Sequence, residues 1–385
     1  MTQQSDICVI SPTIRNPEFI EGYVENAREN GFDTERLHFI LVTEDFNDKQ
    51  NMEEMLDRLD VSGRVFNGSD RDDWYEENNI DEYSDIVPAA SHAETSFGLL
   101  YMWNNPRFEY GIFLDDDTQP HDDFDFFGTH LDHLESKKTV EHVSSNKQWV
   151  NVLYQNIEEH GLYPRGYPYS AMDEEIETEE KRTDEIIASQ GLWTNIPDLD
   201  AVRILMDGNL EGQAETLTDK EDYTHNFAAK EGNYLTVCSM NLAFKREVIP
   251  SFYQFPMDDN KWDIGRFDDI WSGLTLKKAA DMLDKSLING LPLCVHNKAK
   301  RSTFGDLNNE VPALELNEHF WEALEDAPDT AEDYFDAYRK MISAVEEYDF
   351  SEYANSDFID FTVEHMEMWL KALETLRDRS LNRCS

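Results

Sequence analysis

The fold of this chain is decided by residues 110–117, which read Tyr110-Gly111-Ile112-Phe113-Leu114-Asp115-Asp116-Asp117. The apolar run before the aspartates predicts a buried strand, and ligands of open α/β sheets bind at the carboxyl ends of strands. Adjacent ionised carboxylates repel one another unless a cation lies near them. The triplet therefore favours a site for Mg²⁺ or Mn²⁺, which carboxylates hold and which bridge to substrate phosphates. The alternative is a solvated turn in a very acidic chain.

Strands and helical patterns alternate on both sides of this run, which predicts βαβ units, a mostly parallel sheet and an α/β fold. Apolar positions predict the other strands at 6–11, 39–43, 63–66, 149–153, 234–244 and 287–295. Helical spacing predicts helices at 18–30, 91–103 and 270–282, and a helical part from about residue 312 in which Thr330 opens a capping box. Two acidic stretches, residues 172–182 and 207–230, are interpreted as surface loops or lids with no fold of their own.

The composition is dominated by acidic residues: 81 Asp and Glu against 33 Lys and Arg, a net charge of −48 over 385 residues. Such a chain repels nucleic acid and anionic membranes, so neither is an expected partner. The acids are spread along the whole chain, which is typical of a cytoplasmic protein in a salt-accumulating organism. With 40% hydrophobic and 12% aromatic residues, a large core is expected.

Cysteine usage and hydropathy also predict a cytoplasmic protein. The four cysteines are far apart and lack metal-ligand spacing, so neither a disulfide framework nor a zinc site is expected; they are Cys8, Cys238, Cys294 and Cys384. The polar start of the chain predicts no signal peptide. No apolar run reaches the roughly 18 residues that span a bilayer.

The most unusual local string is Tyr163-Pro164-Arg165-Gly166-Tyr167-Pro168-Tyr169-Ser170. Its prolines and glycine fix the backbone, and its tyrosines surround one guanidinium. Tyrosine rings suit stacking on a sugar or base, and arginine suits phosphate or carboxylate. The alternative is a rigid turn in which Arg165 makes a structural ion pair.

Two further clusters bear groups suited to chemistry. Asp268 and Asp269 precede a helical stretch, where one of them could act as a base or bind sugar hydroxyls; the alternative is simple N-capping by Asp268. His296 follows the apolar run that ends at residue 295, with Lys298 two residues on. A neutral imidazole there could complete a carboxylate metal site, and Lys298 could meet a phosphate. The alternative for the histidine is a structural role.

Taken in order, these strings and three others resemble one family, the reversibly glycosylated polypeptides, also known as UDP-arabinopyranose mutases. The resemblance covers about residues 6–375. Besides the Asp triplet and Arg165-Gly166-Tyr167-Pro168, the matching strings are Ile14-Arg15, residues 191–198 (GLWTNIPD), 240–244 (MNLAF), 265–273 (GRFDDIWSG), and Gly290-Leu291-Pro292 leading to His296-Asn297-Lys298-Ala299.

The resemblance implies a GT-A-type fold that binds a nucleotide sugar, with a catalytic domain at 1–310 and a helical extension at 311–385. It implies a divalent metal, Mn²⁺ or Mg²⁺, held by Asp115, Asp117 and His296. The residues implied to contact the UDP-sugar are Thr13, Ile14, Arg15, Glu44, Asp45, Asp116 and Lys298. It also leads us to expect a homo-oligomer.

Arg165 matches the family arginine that becomes reversibly glycosylated. A guanidinium is normally protonated and a poor nucleophile, so a carboxylate must accept its proton, and Asp268 and Asp269 are the candidates. The implied net reaction interconverts UDP-arabinopyranose and UDP-arabinofuranose. The alternatives are a metal-dependent glycosyltransferase and a non-catalytic nucleotide-sugar-binding or assembly subunit.

Overall fold

A computed structural model describes residues 5–15, 17–183, 185–258 and 260–383, and within them eleven strands form one mixed sheet. The strands are β1 Ile7–Pro12, β2 Leu37–Val42, β3 Ser62–Phe66, β4 Tyr110–Leu114, β5 Thr118–Pro120, β6 Lys138–Ser145, β7 Ile176–Thr183, β8 Ile186–Asn195, β9 Phe227–Ala229, β10 Asn241–Lys245 and β11 Ser286–His296. The helices are α1 Phe19–Glu29, α2 Lys49–Arg58, α3 Gly68–Asn78, α4 Thr95–Trp103, α5 Phe126–Glu135, α6 Ile157–His160, α7 Ala201–Met206, α8 Asp268–Met282, α9 Thr303–Glu325, α10 Tyr334–Glu347 and α11 Asp357–Arg383.

The direction of the strands gathers several strand ends at one edge of the sheet. The order is β3-β2-β1-β4-β10-β8-β11-β9-β6-β7, with β5 paired to β11. Strands β3, β2, β1 and β4 are parallel, β10 runs antiparallel between β4 and β8, and β11 is parallel to β8. The carboxyl ends of β1, β2, β4, β8 and β11 therefore lie at the same edge as the amino end of β10. The predicted α/β fold, a mixed sheet flanked by helices, is confirmed.

Apolar side chains on both faces of β1 explain why helices cover the sheet on both sides. Ile7 and Val9 belong to the apolar cluster that contains the buried faces of α1 and α5. Cys8 and Ile10 belong to the larger cluster that contains α4 and the C-terminal helices. Helix α4 lies so close to β1 that a Cβ atom on Gly98 would sit 2.3 Å from Cγ2 of Ile10, so this contact requires glycine.

The C-terminal helices share the large core. Trp271 of α8 stacks on Phe320 of α9 at 4.2 Å between ring centroids. Trp369 of α11 stacks on Tyr253 at 5.0 Å. The predicted domain boundary at residue 310 lies inside α9. Within the described residues no helix is both long and apolar enough to cross a membrane.

Several predicted elements are wrong in detail. Residues 149–153 form no strand; apart from a single bridge between Trp149 and Tyr234 they are a buried turn, in which Asn151 bonds the backbone of Leu153. Residues 235–240 are also buried without strand pairing, and β10 begins only at Asn241. Both segments are apolar because surrounding side chains bury them, although their backbones do not pair as strands.

The two acidic stretches are not structureless. Residues 172–182 include most of β7, which pairs only with β6 and is exposed on both faces, so it lacks the alternation of a half-buried strand. Residues 207–230 include β9 and a short 3-10 helix at Lys220–Asp222. The predicted capping box at Thr330 is also wrong, because Asp333 caps α10 by accepting from the backbone of Asp336. Cys8, Cys238 and Cys294 are free and buried, and Cys384 lies outside the described residues.

Candidate active site

A cavity of about 300 Å³ opens at the edge where the strand ends meet. Its wall brings together seven of the predicted site residues from four separate parts of the chain. They are Asp115 and Asp117 after β4, Arg165 from a loop, Asp268 and Asp269 at the start of α8, and His296 and Lys298 at and just beyond the end of β11.

Arg165 lies buried between two carboxylates. Its guanidinium donates to Asp198 (Nε to Oδ2 3.0 Å) and to both oxygens of Asp269 (3.1 and 3.2 Å), and it also reaches the carbonyl of Arg266. Burial alone lowers the pKa of a guanidinium, but Asp198 and Asp269 outweigh it and hold the Arg165 pKa well above its usual value. The side chain is therefore a fixed cation in direct contact with two carboxylates.

The backbone around Arg165 explains the glycine that follows it. Gly166 has φ +84°, and a Cβ atom there would lie 2.4 Å from Cγ2 of Ile270 on α8. Only glycine adopts this conformation without strain and leaves room for the helix. The backbone N–H of Arg165 donates to the carbonyl of Asp198 at 2.9 Å, so the loop is fixed on both sides.

Asp268 does not cap α8. The cap position is Phe267, without a side-chain bond, and the Asp268 carboxylate accepts instead from Nδ1 of His92 at 2.9 Å. Nε2 of His92 donates to Asp115 at 3.0 Å. Burial lowers the pKa of His92, but Asp115 and Asp268 outweigh it and hold that pKa well above its usual value. His92 therefore links the Asp triplet to the first turn of α8.

The three aspartates of the triplet point in different directions. Asp116 accepts from the Thr13 hydroxyl at 2.8 Å and pairs with Arg15 at 2.9 Å, which ties the triplet to the loop after β1. Asp115 faces His92, and Asp117 faces His296. Ile14 is exposed in the same loop as Thr13 and Arg15. The predicted nucleotide-contacting residues Thr13, Arg15 and Asp116 thus lie together beside the cavity wall.

Asp117 and His296 fit one end of a divalent metal site. His296 donates through Nδ1 to the carbonyl of Ile196 at 2.7 Å, which leaves the Nε2 lone pair facing Oδ1 of Asp117 at 3.7 Å. Burial lowers the pKa of His296 in spite of nearby carboxylates, so the ring is neutral, as a metal ligand must be. Carboxylate oxygens with one imidazole suit Mn²⁺ or Mg²⁺.

The three predicted metal ligands are not gathered around one point. In the part of the chain that the structure describes, the one group of three acidic or histidine side chains with ligand atoms within 4.8 Å is Glu159, His160 and Asp222, on the surface near α6. Asp115 is turned toward His92. Asp117 and His296 are therefore the better placed pair, and Asp115 reaches the cavity from another side.

Positive charge gathers elsewhere on the cavity wall. Lys298 is buried, its Nζ has no hydrogen-bond partner among the described residues, and Asp198 lies 3.7 Å away. Burial lowers the pKa of Lys298 to about 8, although Asp198 opposes this. Arg266 and Arg301 line the same cavity and pair with acids of α9. A buried ammonium group that lacks a hydrogen-bond partner among the described residues fits an anionic ligand such as a phosphate.

Glu44 and Asp45 lie at the same sheet edge but not on this cavity. Asp45 accepts from the backbone of Ser69 at 3.1 Å, in the first turn of α3. Glu44 is engaged by Arg71 and by the backbone of Ala90. Both acidic residues line a separate cleft beside α11. In this arrangement their side chains stabilise the strand ends, and their predicted contact with the nucleotide remains a prediction.

His92 and Asp198 contact predicted site residues but were not themselves predicted. Asp198 stands at the end of the string 191–198 that carries the family resemblance, and that position was its only signal. His92 follows Ser91, which caps the turn before α4. A single histidine after a capping serine gives no indication of two carboxylates that lie 23 and 176 residues away in the chain.

Comparison with known proteins places the chain in a family. Residues 6–378 match the reversibly glycosylated polypeptide family, and the chain belongs to it. A probable UDP-arabinopyranose mutase 1 of Pisum sativum is 28% identical over 330 residues, 83% of this chain and 76% of the pea protein. UDP-arabinopyranose mutase 1 of Arabidopsis thaliana is 34% identical over 179 residues, 45% of this chain and 43% of that protein. The chain thus spans less than half the length of the Arabidopsis relative. The predicted enzyme class is the one that these relatives carry in their names.

Among solved structures, a mannosyltransferase of Pyrobaculum calidifontis in complex with GDP-Man and Mn²⁺ aligns over 99% of this chain and 87% of its own. Its TM-score is 0.37 and its sequence identity is 12%.

Proposed function

We propose that this protein is a UDP-sugar mutase that interconverts the pyranose and furanose forms of a UDP-pentose, UDP-arabinose first, through a reversible glycosyl adduct on Arg165. One observation carries the proposal. Arg165 is buried between Asp198 and Asp269 in the same cavity that the Asp115 to Asp117 turn enters. The names of the curated relatives support the same reaction.

In the first step a terminal nitrogen of Arg165 attacks the anomeric carbon of the sugar. The bond from that carbon to the β-phosphate oxygen breaks, and its electron pair leaves with UDP. The nitrogen loses a proton as the new bond forms, and Asp269, 3.1 and 3.2 Å from the two terminal nitrogens, accepts it. Asp198 stays ionised, accepts a hydrogen bond from Nε of Arg165 and so keeps the guanidinium plane in place.

The adduct allows the ring to change size. The nitrogen bound to the sugar gives its remaining proton to the ring oxygen, and its electron pair forms a C=N bond as the bond from carbon to the ring oxygen breaks. Another hydroxyl of the open chain then adds to the same carbon and returns its proton to that nitrogen. UDP returns as the nucleophile, and the electron pair and the proton go back to Arg165. Because the cavity holds the sugar throughout, no second acceptor is needed.

Asp117 and His296, with Asp115 from the other side, would hold a divalent cation, which when bound stabilises charge on the leaving diphosphate. Lys298 is placed to contribute a positive charge to the same anion, since its ammonium group is buried and without a hydrogen-bond partner in the described residues. Thr13 and Arg15 fix the orientation of the turn through Asp116.

The test is incubation with UDP-arabinopyranose and Mn²⁺, followed by chromatography of the nucleotides and the intact mass of the protein. A mutase yields the furanose nucleotide and carries at most one pentose on each chain. A glycosyltransferase releases UDP in step with an added acceptor and forms no furanose nucleotide. A binding subunit does neither, and that result would rule out both enzyme functions.

Replacing Lys298 with methionine should have opposite effects on stability and on binding. The variant removes a buried charge without a hydrogen-bond partner, so we expect the free protein to gain about 1–3 kcal/mol in the free energy of unfolding. It also removes a cation from the phosphate site, so the Kd for UDP should rise at least about tenfold. Thermal melting and calorimetric titration measure the two effects. Lys300→Met, an exposed neighbour paired with Glu211, is the matched control; unchanged UDP affinity in Lys298→Met would exclude the phosphate contact.

A further inference from the structure

Two carboxyl groups lie against each other beneath the loop that carries His92. Glu44 follows β2 and Glu94 immediately precedes α4, and their side chains are only 12% and 3% exposed. The Oε1 atoms of both accept from the same backbone N–H, that of Ala90, at 2.7 and 3.0 Å. One N–H cannot satisfy two ionised carboxylates.

A single guanidinium also serves both groups. Nη2 of Arg71 lies 3.2 Å from Glu44 and 3.3 Å from Glu94, while Nη1 donates to the carbonyl of Thr43 at 2.9 Å. Two ionised carboxylates against one guanidinium would leave a net negative charge in a buried place, which is costly. One proton held between the carboxyl groups makes the cluster neutral and gives them a hydrogen bond to each other.

The other titratable groups around Glu94 do not supply the missing charge. On α3, Tyr75 is buried and neutral, since burial raises its pKa, and Asp72 is exposed and adds negative charge. On its own segment, His92 points to Asp115 and Asp268.

We propose that Glu44 and Glu94 share one proton and that this pair is a positioning element of the active site, because it fixes the loop that presents His92. Ala90 has φ +53°, a left-handed conformation that is strained for a residue with a Cβ atom. The two carboxyl groups hold that conformation through the Ala90 N–H. Two residues later His92 joins Asp115 to Asp268. The positioning role rests on the proposed function; the shared proton does not.

The pair gives a definite pH dependence. Burial, and then the hydrogen bond that Glu94 donates to Glu44, raise the pKa of Glu94 to about 8, and the same hydrogen bond is the main cause that lowers the pKa of Glu44. A carboxyl group whose pKa is raised by folding contributes stability at low pH and loses that contribution as the pH rises through its folded pKa. Above about pH 8 both groups are charged, repel each other and release Ala90.

The test compares wild type with Glu94→Gln, whose amide donates to the Glu44 carboxylate at every pH. The kcat of wild type divided by that of Glu94→Gln, both at saturating UDP-sugar, should fall about tenfold between pH 7 and pH 9, as one group with a pKa of about 8 loses its proton. Lys298, whose pKa is also about 8, ionises in both proteins, so its effect on kcat cancels in this ratio. KM is measured separately. Glu77→Gln, which removes an exposed charge from α3, is the control and should follow wild type.

Thermal melting of the free protein tests the shared proton without any assay of activity. The Tm of Glu94→Gln minus that of wild type should grow from pH 7 to pH 9.5, and Glu44→Gln should behave in the same way. Parallel Tm curves would overturn the shared proton. Diverging Tm curves with identical kcat profiles would overturn the positioning role. If wild type shows neither adduct nor turnover with any UDP-sugar, the proposed function and the positioning role both fail, and the melting curves still decide whether the proton is shared.

Discussion

Arg165→Ala should abolish the glycosyl adduct and lower turnover by at least about a thousandfold, because the variant lacks the guanidinium nitrogens that contact the proposed base and would carry the sugar. UDP should still bind, since the groups proposed to contact it, Lys298 and the Asp117 to His296 pair, stay in place. Intact mass after exposure to UDP-arabinopyranose, nucleotide chromatography and UDP titration measure the three quantities.

The variant also leaves Asp198 and Asp269 buried without their cation, which costs about 3–5 kcal/mol where one partner of a buried pair is removed. A loss of activity must therefore be separated from a loss of fold. Arg165→Lys keeps the positive charge but has a single nitrogen, so it should fold better than the alanine variant and remain inactive. Arg203→Ala, which removes a guanidinium outside the cavity that packs on Tyr163 and Tyr169, should keep the adduct. Turnover retained by Arg165→Ala would refute the covalent role.

The part of the site that could be predicted from the sequence is the part attached to strand ends. An apolar run that leads into Asp115, Asp116 and Asp117 identifies both a strand and the turn at its carboxyl end, and the same holds for His296 at the end of β11. Strand direction then brings these ends together, because parallel strands place their carboxyl ends at one edge. No knowledge of which strands are neighbours is needed to expect this.

Contacts made by loops could not be predicted in the same way. Arg165 stands in a loop, and its carboxylate partners lie 33 and 104 residues further along the chain. The unusual string around it marked the residue, but both Asp269 and Asp268 were candidates for the base. The contact depends on the side to which the first turn of α8 directs each carboxylate: Asp269 faces Arg165, and Asp268 faces His92. The structure contains the ion pairs of the structural interpretation of Arg165, and its covalent role stays a proposal.

The hydrophobic pattern of the sequence predicts which residues are buried, but it predicts only indirectly which of them pair as strands. Residues 149–153 are buried and form no strand, whereas β7 forms a strand with exposed, mostly charged residues because it is an edge that pairs with β6 alone. Side-chain contacts at a strand end also cannot be predicted from the hydrophobic pattern, and Glu44 is an example. Its position after β2 was predicted, but its contacts with Arg71 and Ala90 depend on a loop that arrives from elsewhere in the chain.

Asp117→Asn should weaken Mn²⁺ binding and reduce turnover by about a hundredfold or more, because one anionic ligand is lost where charge builds up on the leaving diphosphate. The fold should survive, since the backbone carbonyl of residue 117 still accepts from Asn297 and the amide oxygen can still accept from Ala299. Calorimetric titration with Mn²⁺ reads the metal site without any assay of activity. Asp122→Asn, at an exposed aspartate a few residues further along, should match wild type.

The double variant Asp117→Asn/His296→Gln should lose little more Mn²⁺ affinity than either single variant, because ligands of one ion act as a unit. Full activity of Asp117→Asn in excess chelator would exclude a metal at this turn and leave Lys298 as the group that stabilises the departing phosphate.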